Sequence, residues 1–511
     1  MELDTKIQIK LTQINNLFKY KKFNETITKC KQLLREIPNN SYLLNLMGLS
    51  HQSLGNYIEA KNVFIKCLKY HPGNFSTMNN YAISLKSLHE TLEAKKILVK
   101  IIEKKPDYIN ALNNLANIYR ESKDYTAAIV LYNKILKLDH KITIVHYNLA
   151  LSYYGVKKTD LAVKHAKIIN EIDPGFTQAD RLINSITNYL DDDAEGHLEK
   201  IEEKLKNSDL SLNQKIPLLF SLGKAYEDKK NYKKSFENYR HANETKRKLI
   251  SYNFRQEEEK YNLILNLFRE NDIKDSLKKD NYSKKMLFIC GMPRSGTTLV
   301  EQIVSTHSKV FALEETDFLN QIVIKENLLT NESLLEKINS SKNIVFDSYI
   351  NLINKFNTNK NILTDKSLFN FQYMGLIKIF FPGSKIIVLK RNFENNFLSI
   401  YKNYFHNDNM KWSFDKNEIR KFYNLFNKYI SLWKELYPSF FIEVEYEKLV
   451  VDNNNEIKRI INFCDLNWEE DCLNYHKKNT SPISTASINQ ANKPIYKDSL
   501  NKYDFYKEFF E

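Results

Sequence analysis

The sequence predicts a two-part protein, an all-α solenoid of helical hairpins followed by a three-layer α/β domain with a parallel sheet. Three observations predict it. Residue types recur every 34 positions through the amino-terminal part of the 511-residue chain. An apolar run, Met286 to Cys290, enters the turn Gly-Met-Pro-Arg-Ser-Gly-Thr-Thr, and apolar residues at helical spacing follow at Leu299, Ile303 and Val304. Further strand candidates, Asn361 to Thr364 and Ser384 to Lys390, lie beyond it.

The repeat comes first in the chain. Pro38, Pro72, Pro106 and Pro174 stand on the 34-residue ladder, with His140 on the remaining rung. Gly48, Ala82, Ala116 and Ala150 keep the same period, as do Ala60, Ala94, Ala128 and Ala162. Small residues at fixed places let two helices approach closely, Phe64, Leu98 and Tyr132 fill the space between hairpins, and proline stops each hairpin. A first, divergent unit, from about Leu11 to Pro38, carries Ile14 and Thr26 at the small positions and reads as a cap. The register weakens over 180–214, through Asp191, Asp192 and Asp193, which read as a solvated turn rather than a metal site. It returns at Gly223, Tyr226, Ser235, Tyr239 and Ala242. Residues 1–250 are therefore expected to form the solenoid, 251–283 a helix and polar linker, and 284–511 the α/β domain. The pattern resembles the tetratricopeptide repeat, which implies a surface for a protein or peptide partner. A rigid spacer or dimer platform is the competing expectation.

Composition narrows the function classes. Scarce proline (10) and glycine (11) with 42% hydrophobic residues exclude a disordered chain. The formal charge of +14 comes from lysine scattered along an asparagine- and isoleucine-rich sequence, without basic blocks interleaved with aromatics, so a nucleic-acid partner is not expected. Five cysteines without framework spacing, no signal pattern and no apolar run near the ~20 residues of a membrane span lead to the expectation of a cytoplasmic protein. Cys464, Cys472 and His476 lie close together but fit no common zinc spacing, and no metal is expected.

The turn at 291–298 carries the chemistry. Backbone N–H groups opening a helix favour a phosphate or sulfate. Gly291 and Gly296 keep the spacing of a nucleotide-triphosphate P-loop, but Thr297 stands where that loop has its lysine, which disfavours an ATPase or nucleotide kinase. Arg294 inside the loop supplies a planar cation for a phosphate or sulfonate oxygen.

From about Lys284 onward the chain resembles the sulfotransferases that use 3′-phosphoadenylyl sulfate (PAPS), and among them the protein-tyrosine sulfotransferases. The residues that carry the resemblance are Pro293-Arg294-Ser295-Gly296-Thr297-Thr298, Leu313-Glu314-Glu315-Thr316, Thr364-Asp365-Lys366, the segment VLKRNFENNFLS and Val444-Glu445-Tyr446. The resemblance implies that Arg294, Ser295, Gly296, Thr297 and Thr298 hold the 5′-phosphosulfate. It implies further that Glu315 is the catalytic base, with Glu314 its competitor, and that Lys366 contacts the leaving phosphate and the sulfuryl group. Arg391 and Ser399 would grip the 3′-phosphate and Tyr446 contact the nucleotide. The segment around Ser487, with Lys493-Pro494 and Lys502-Tyr503, would close over it. Catalysis is expected from Glu315, Lys366 and Arg294 together, without a metal.

The chain departs from the animal protein-tyrosine enzymes, which are membrane-anchored and disulfide-bearing, and Asn403 stands where they are expected to place an arginine. The acceptor hydroxyl is accordingly open among protein tyrosine, a glycan and a small molecule. The alternative function is an adaptor whose carboxyl-terminal domain binds the nucleotide without catalysing.

Overall fold

A computed structural model describes residues 2–190, 195–270, 284–329, 334–354, 356, 358–478, 494–495 and 500–510. By spatial contact the chain divides into two compact units, Met1–Pro174 and Gly175–Glu511.

The first unit is a run of antiparallel hairpins: α1 (Glu2–Lys19) with α2 (Phe23–Glu36), α3 (Ser41–Ser53) with α4 (Tyr57–Tyr70), α5 (Phe75–Ser87) with α6 (Thr91–Lys104), α7 (Ile109–Glu121) with α8 (Tyr125–Leu138), and α9 (Thr143–Gly155) with α10 (Thr159–Ile172). Each ladder proline lies two residues past the end of its helix, as Pro38 does after Glu36. The small residues are where close approach needs them. A Cβ on Gly48 would sit 2.3 Å from the Phe64 ring, so only glycine fits beneath that ring. The periodic alanines are at most 1% exposed, and Phe64, Leu98 and Tyr132 are fully buried. Phe64 thus seals its own hairpin, whereas Tyr132 clusters with Leu112 and Val145 of the neighbouring helices. Ile14 and Thr26 are buried at the divergent first pair. Successive hairpins are also joined by amides: Asn80 Nδ2 donates to Asn45 Oδ1 (3.0 Å), Asn114 Nδ2 to Asn79 Oδ1 (2.8 Å) and Asn148 Nδ2 to Asn117 Oδ1 (3.1 Å).

The second unit begins with α11 (Gln178–Ile186), α12 (Glu195–Lys206), the hairpin α13 (Leu212–Asp228) and α14 (Tyr232–Lys248), and α15 (Arg255–Glu270). The hairpin repeats the device of the first unit: a Cβ on Gly223 would meet the Tyr239 ring at 2.5 Å. Then follow β1 (Lys285–Gly291), α16 (Thr297–Ser305), β2 (Val310–Ala312), α17 (Phe318–Lys325), α18 (Leu334–Asn354), β3 (Ile362–Asp365), α19 (Met374–Phe380), β4 (Lys385–Lys390), α20 (Phe393–Tyr401), α21 (Lys416–Leu436), β5 (Phe441–Glu445), α22 (Tyr446–Val451) and α23 (Asn453–Phe463). The strands form one sheet in the order β2-β3-β1-β4-β5, with every pair parallel.

Alternation along the strands makes the three layers. Met286, Phe288 and Cys290 of β1 and Ile386 and Val388 of β4 face one core, while Leu287, Ile289, Ile387 and Leu389 face the other with α16 and α23. The first core also takes in Leu219 and Phe220 of α13, Tyr239 of α14 and Leu267 and Phe268 of α15. Phe268 lies on Gly375, where a Cβ would come within 2.3 Å of its ring. Contact therefore places α13–α15 with the sheet, whereas the repeat pattern groups 1–250 together. From β1 the chain crosses to β2 and β3 on one side and to β4 and β5 on the other, so the loop leaving β1 sits where the strand order reverses. That is where open α/β sheets bind ligands.

Candidate active site

The loop after β1 is shaped by two left-handed residues, Arg294 (φ 66°) and Gly296 (φ 103°). Glycine is required at 296 on a second count, since a Cβ there would come within 2.6 Å of Tyr446 Cδ2. Ser295 is fully buried, and its Oγ has no hydrogen-bond partner among the described residues. An unmet hydroxyl inside a turn of backbone N–H groups at the start of α16 fits an anion.

Around the loop the strand ends bring cations. Arg294 Nε donates to Ser399 Oγ on α20 at 3.2 Å. Arg391, just past β4, donates from Nη1 to the Arg294 carbonyl at 2.9 Å, and its guanidinium lies 4.6 Å from the centre of the Tyr446 ring. Asn396 Nδ2 donates to the Pro293 carbonyl at 2.9 Å, a support that the sequence reading missed. Asn403 donates to the Ser399 carbonyl at 2.6 Å and so closes the end of its own helix.

Lys366 follows β3 and is buried to 0% exposure. Its Nζ lies 2.9 Å from Glu315 Oε1, 3.5 Å from Thr298 Oγ1 and 3.8 Å from Glu301 Oε2. One ammonium therefore touches the anion loop and Glu315 at once. The backbone holds the arrangement, because Lys366 N donates to the Glu314 carbonyl at 3.0 Å. Glu315, unlike Glu314, lines the cavity described below, and its side chain is 39% exposed.

Two buried carboxylates were missed from the sequence. Glu301 is 1% exposed; burial raises its carboxyl above the ordinary range, opposed by Lys366 and by a 2.8 Å hydrogen bond from Thr364 Oγ1. A charge on the inward face of the apolar helix α16 was the available signal. Asp365 is fully buried and accepts from Tyr349 (2.6 Å), Thr316 (3.0 Å), the Ser367 N–H (3.0 Å) and Asn370 (3.2 Å), which ties the end of β3 to the segment carrying Glu315.

Part of this set borders a cavity of about 830 Å³, within the roughly 300–1,000 Å³ of small-molecule sites; Ser295, Glu301, Asp365, Lys366 and Ser399 are not among its lining residues. Arg294, Gly296, Thr297, Thr298, Arg391 and Tyr446 line one part; Glu315, Asp317, Asn320, Asn370 and Tyr373 are also in its wall, as are Arg181 and the Tyr404–Met410 segment. Not every expected residue is there. Lys502 lies 3.7 Å from Glu227, which Lys402 also pairs at 2.7 Å, and Lys502 is not among the lining residues. Ser487 and Lys493 fall outside the described residues, as do Asp191, Asp192 and Asp193; Pro494 lines the cavity. Among the described residues no group of three His, Cys, Asp or Glu side chains is placed to hold a metal, and no helix is long and apolar enough to cross a membrane. All five cysteines are unpaired and buried.

Both parts of the chain have matches among known proteins. Residues 287–470 match the profile of the sulfotransferase family, and 41–74, 109–142 and 216–248 match tetratricopeptide repeats. The last match is the hairpin α13–α14, where the sequence register returns. An uncharacterized protein of Aquifex aeolicus (strain VF5) is 32% identical over 302 residues, covering 57% of this chain and 40% of that protein. Protein-tyrosine sulfotransferase A of Caenorhabditis elegans is 23% identical over 239 residues, 44% of this chain and 62% of that protein. Protein-tyrosine sulfotransferase 2 of Gallus gallus is 25% identical over 243 residues, 43% of this chain and 64% of its own length. The chain thus spans 40–64% of these relatives. Among solved structures, the sulfotransferase domain of the Synechococcus PCC 7002 olefin synthase aligns with 45% of this chain and 91% of its own, at 20% identity and a TM-score of 0.33. The helical hairpins belong to the tetratricopeptide-repeat class, and the α/β core is a sulfotransferase-family domain.

Proposed function

We propose that this chain moves a sulfuryl group from PAPS to an acceptor hydroxyl, on protein tyrosine, a glycan or a small molecule. The carrying observation is the buried Lys366 ammonium, in contact with both Glu315 and Thr298 of the anion loop. The relatives named as protein-tyrosine sulfotransferases support the same chemistry.

In this reading the loop residues Arg294, Ser295, Gly296, Thr297 and Thr298 hold the phosphosulfate end of the donor, while Arg391, Ser399 and Tyr446 hold its 3′-phosphate end. The donor supplies the sulfuryl group. Lys366 offsets charge on the phosphate that departs, and Glu315 takes the proton of the acceptor hydroxyl. Because Lys366 already pairs with Glu315 at 2.9 Å, it holds that carboxylate at the cavity wall. Glu301 remains behind as the buried counter-charge when Lys366 turns toward the donor. The repeat region, residues 1–250, recruits the acceptor or a protein partner, and 284–511 performs the transfer.

The test is transfer of radiolabelled sulfate from PAPS into a cell extract by the parent protein and by Glu315→Ala. Labelling by the parent that falls by about a hundredfold or more in the variant is expected, the range for loss of a general base. Equal labelling by both proteins removes Glu315 from its role.

A further inference from the structure

Beyond Glu315 the cavity wall contains two further carboxylates, Asp408, which pairs with Lys411 at 3.1 Å, and Asp317, which no step of the transfer uses. Its placement is unusual. It precedes α17 in a left-handed conformation (φ 53°), yet its side chain makes no capping bond to that helix. Its backbone N–H donates to Ser367 Oγ at 3.0 Å, which fixes the main chain. The carboxylate is oriented by a chain of donors running in one direction. Lys260 Nζ on α15 donates to the Tyr373 hydroxyl (2.6 Å) and to Gln372 Oε1 (2.6 Å). The Tyr373 hydroxyl donates to Asn320 Oδ1 at 2.7 Å, and Asn320 Nδ2 donates to Asp317 Oδ2 at 3.2 Å.

The Tyr373 bond settles which way the Asn320 amide points, so its NH₂ must face Asp317. Tyr373, Asn320 and Asp317 all line the cavity, and Lys260 stands behind them. Three elements thus converge to hold one oxygen of Asp317. The other, Oδ1, accepts no hydrogen bond within the described protein.

We infer that the acceptor carries a cationic amino group, docked on Asp317 beside the hydroxyl that Glu315 deprotonates. The inference rests on the sulfotransferase reading of the same cavity. Glu315 and Asp317 stand two residues apart in a lining whose Arg294 and Arg391 the donor reading gives to the nucleotide, which favours a cation close to the reacting hydroxyl. Burial raises the Asp317 carboxyl and lowers Lys260 to about 8, and Lys260 also faces Glu257, so one internal cation serves two carboxylates. A docked ammonium completes the balance. Arg181, a cation elsewhere on the wall, donates to the Tyr404 carbonyl at 3.2 Å.

The test uses the full chain, radiolabelled PAPS and acceptor pairs that differ by an amine: tyramine against 4-ethylphenol, and glucosamine against glucose. A charge-assisted hydrogen bond in a half-buried site is worth about tenfold or more, so the amine member of at least one pair should be preferred by about that factor in kcat/KM. Asp317→Asn should bring the pair within about twofold of each other while binding of adenosine 3′,5′-bisphosphate is retained. Tyr373→Phe, which removes only the hydroxyl that orients Asn320, should give an intermediate preference and serves if Asp317→Asn does not fold. A preference that survives Asp317→Asn, no preference for either amine, or no transfer to either amine by a protein that binds the bisphosphate overturns the inference. Failure of the parent chain to bind the bisphosphate instead overturns the donor reading beneath it.

Discussion

Replacing Lys366 by alanine should cost stability as well as activity, which separates it from active-site residues that merely touch substrate. Its ammonium and the Glu301 carboxylate are each 1% exposed and lie 3.8 Å apart. Glu315, its other partner, is 39% exposed, so water replaces the lost lysine there. Glu301 has no such recourse. Breaking a buried pair from one side costs about 3–5 kcal/mol, and the same range is expected here. The charge left behind defines the pH dependence. Burial already raises the Glu301 carboxyl, and without Lys366 it rises further. A carboxyl raised on folding gives its full stabilisation below its unfolded value, near 4.3, and loses it as pH rises through the folded value. Lys366→Ala should therefore approach parental stability below about pH 4.3 and fall away toward neutrality. Adding Glu301→Gln should restore about 2–3 kcal/mol at neutral pH, because the orphaned charge is gone. Urea unfolding followed by tryptophan fluorescence reads the right unit, since Trp412, Trp433 and Trp468 all belong to Gly175–Glu511. A double variant no more stable than Lys366→Ala at pH 7 would refute the pairing.

Other outcomes follow from the same contacts. Gly296→Ala places a methyl 2.6 Å from the Tyr446 ring in a backbone conformation that L-residues resist, so bisphosphate binding should fall by about tenfold or more in calorimetric titration. Arg391→Ala removes the group that supports the loop carbonyl at 294 and stacks on Tyr446; a weakening of about ten- to hundredfold is expected in the same titration, with little change in melting temperature. Gly48→Ala drives a methyl into the Phe64 ring and should destabilise Met1–Pro174 by about 1–3 kcal/mol, read from hydrogen exchange in α3 and α4, without changing bisphosphate affinity.

Legibility in the sequence followed how locally each feature is determined. β1, β3 and β4 were predicted because their residues are buried on both faces and read as apolar runs. β2, at three residues, is too short for a period, and β5 carries Glu443 between apolar neighbours. That glutamate is half-buried and is explained only by Lys390 and Lys434, at 2.8 and 3.0 Å from other parts of the fold. The repeat was readable because spacing alone states it. In the site, the loop after β1 announces itself through consecutive residues, and Glu315, Lys366, Arg391 and Tyr446 are expected there by resemblance. Asp365 and Asn396 acquire meaning only from what they face in the fold, and Glu301 shows in the sequence only as a charge within an apolar helix, without its partner Lys366. Lys502 shows the converse: its motif position was noted, but Glu227 on a different helix draws its ammonium.

The asparagine links between hairpins carry a consequence for how such a protein changes length. Asn80 to Asn45 and Asn114 to Asn79 each bridge 35 positions, one more than the sequence period. Excising the 34 residues from Phe75 to Tyr108 would bring Asn114 opposite Asn45, donor to acceptor, in the relation Asn80 now has. Proline, glycine or alanine, and aromatic positions would realign in the same stroke. A whole unit can thus be gained or lost without inventing a joint, whereas an insertion of any other size breaks the joint that spans it. The reach of this arm is a quantity evolution can count out in units.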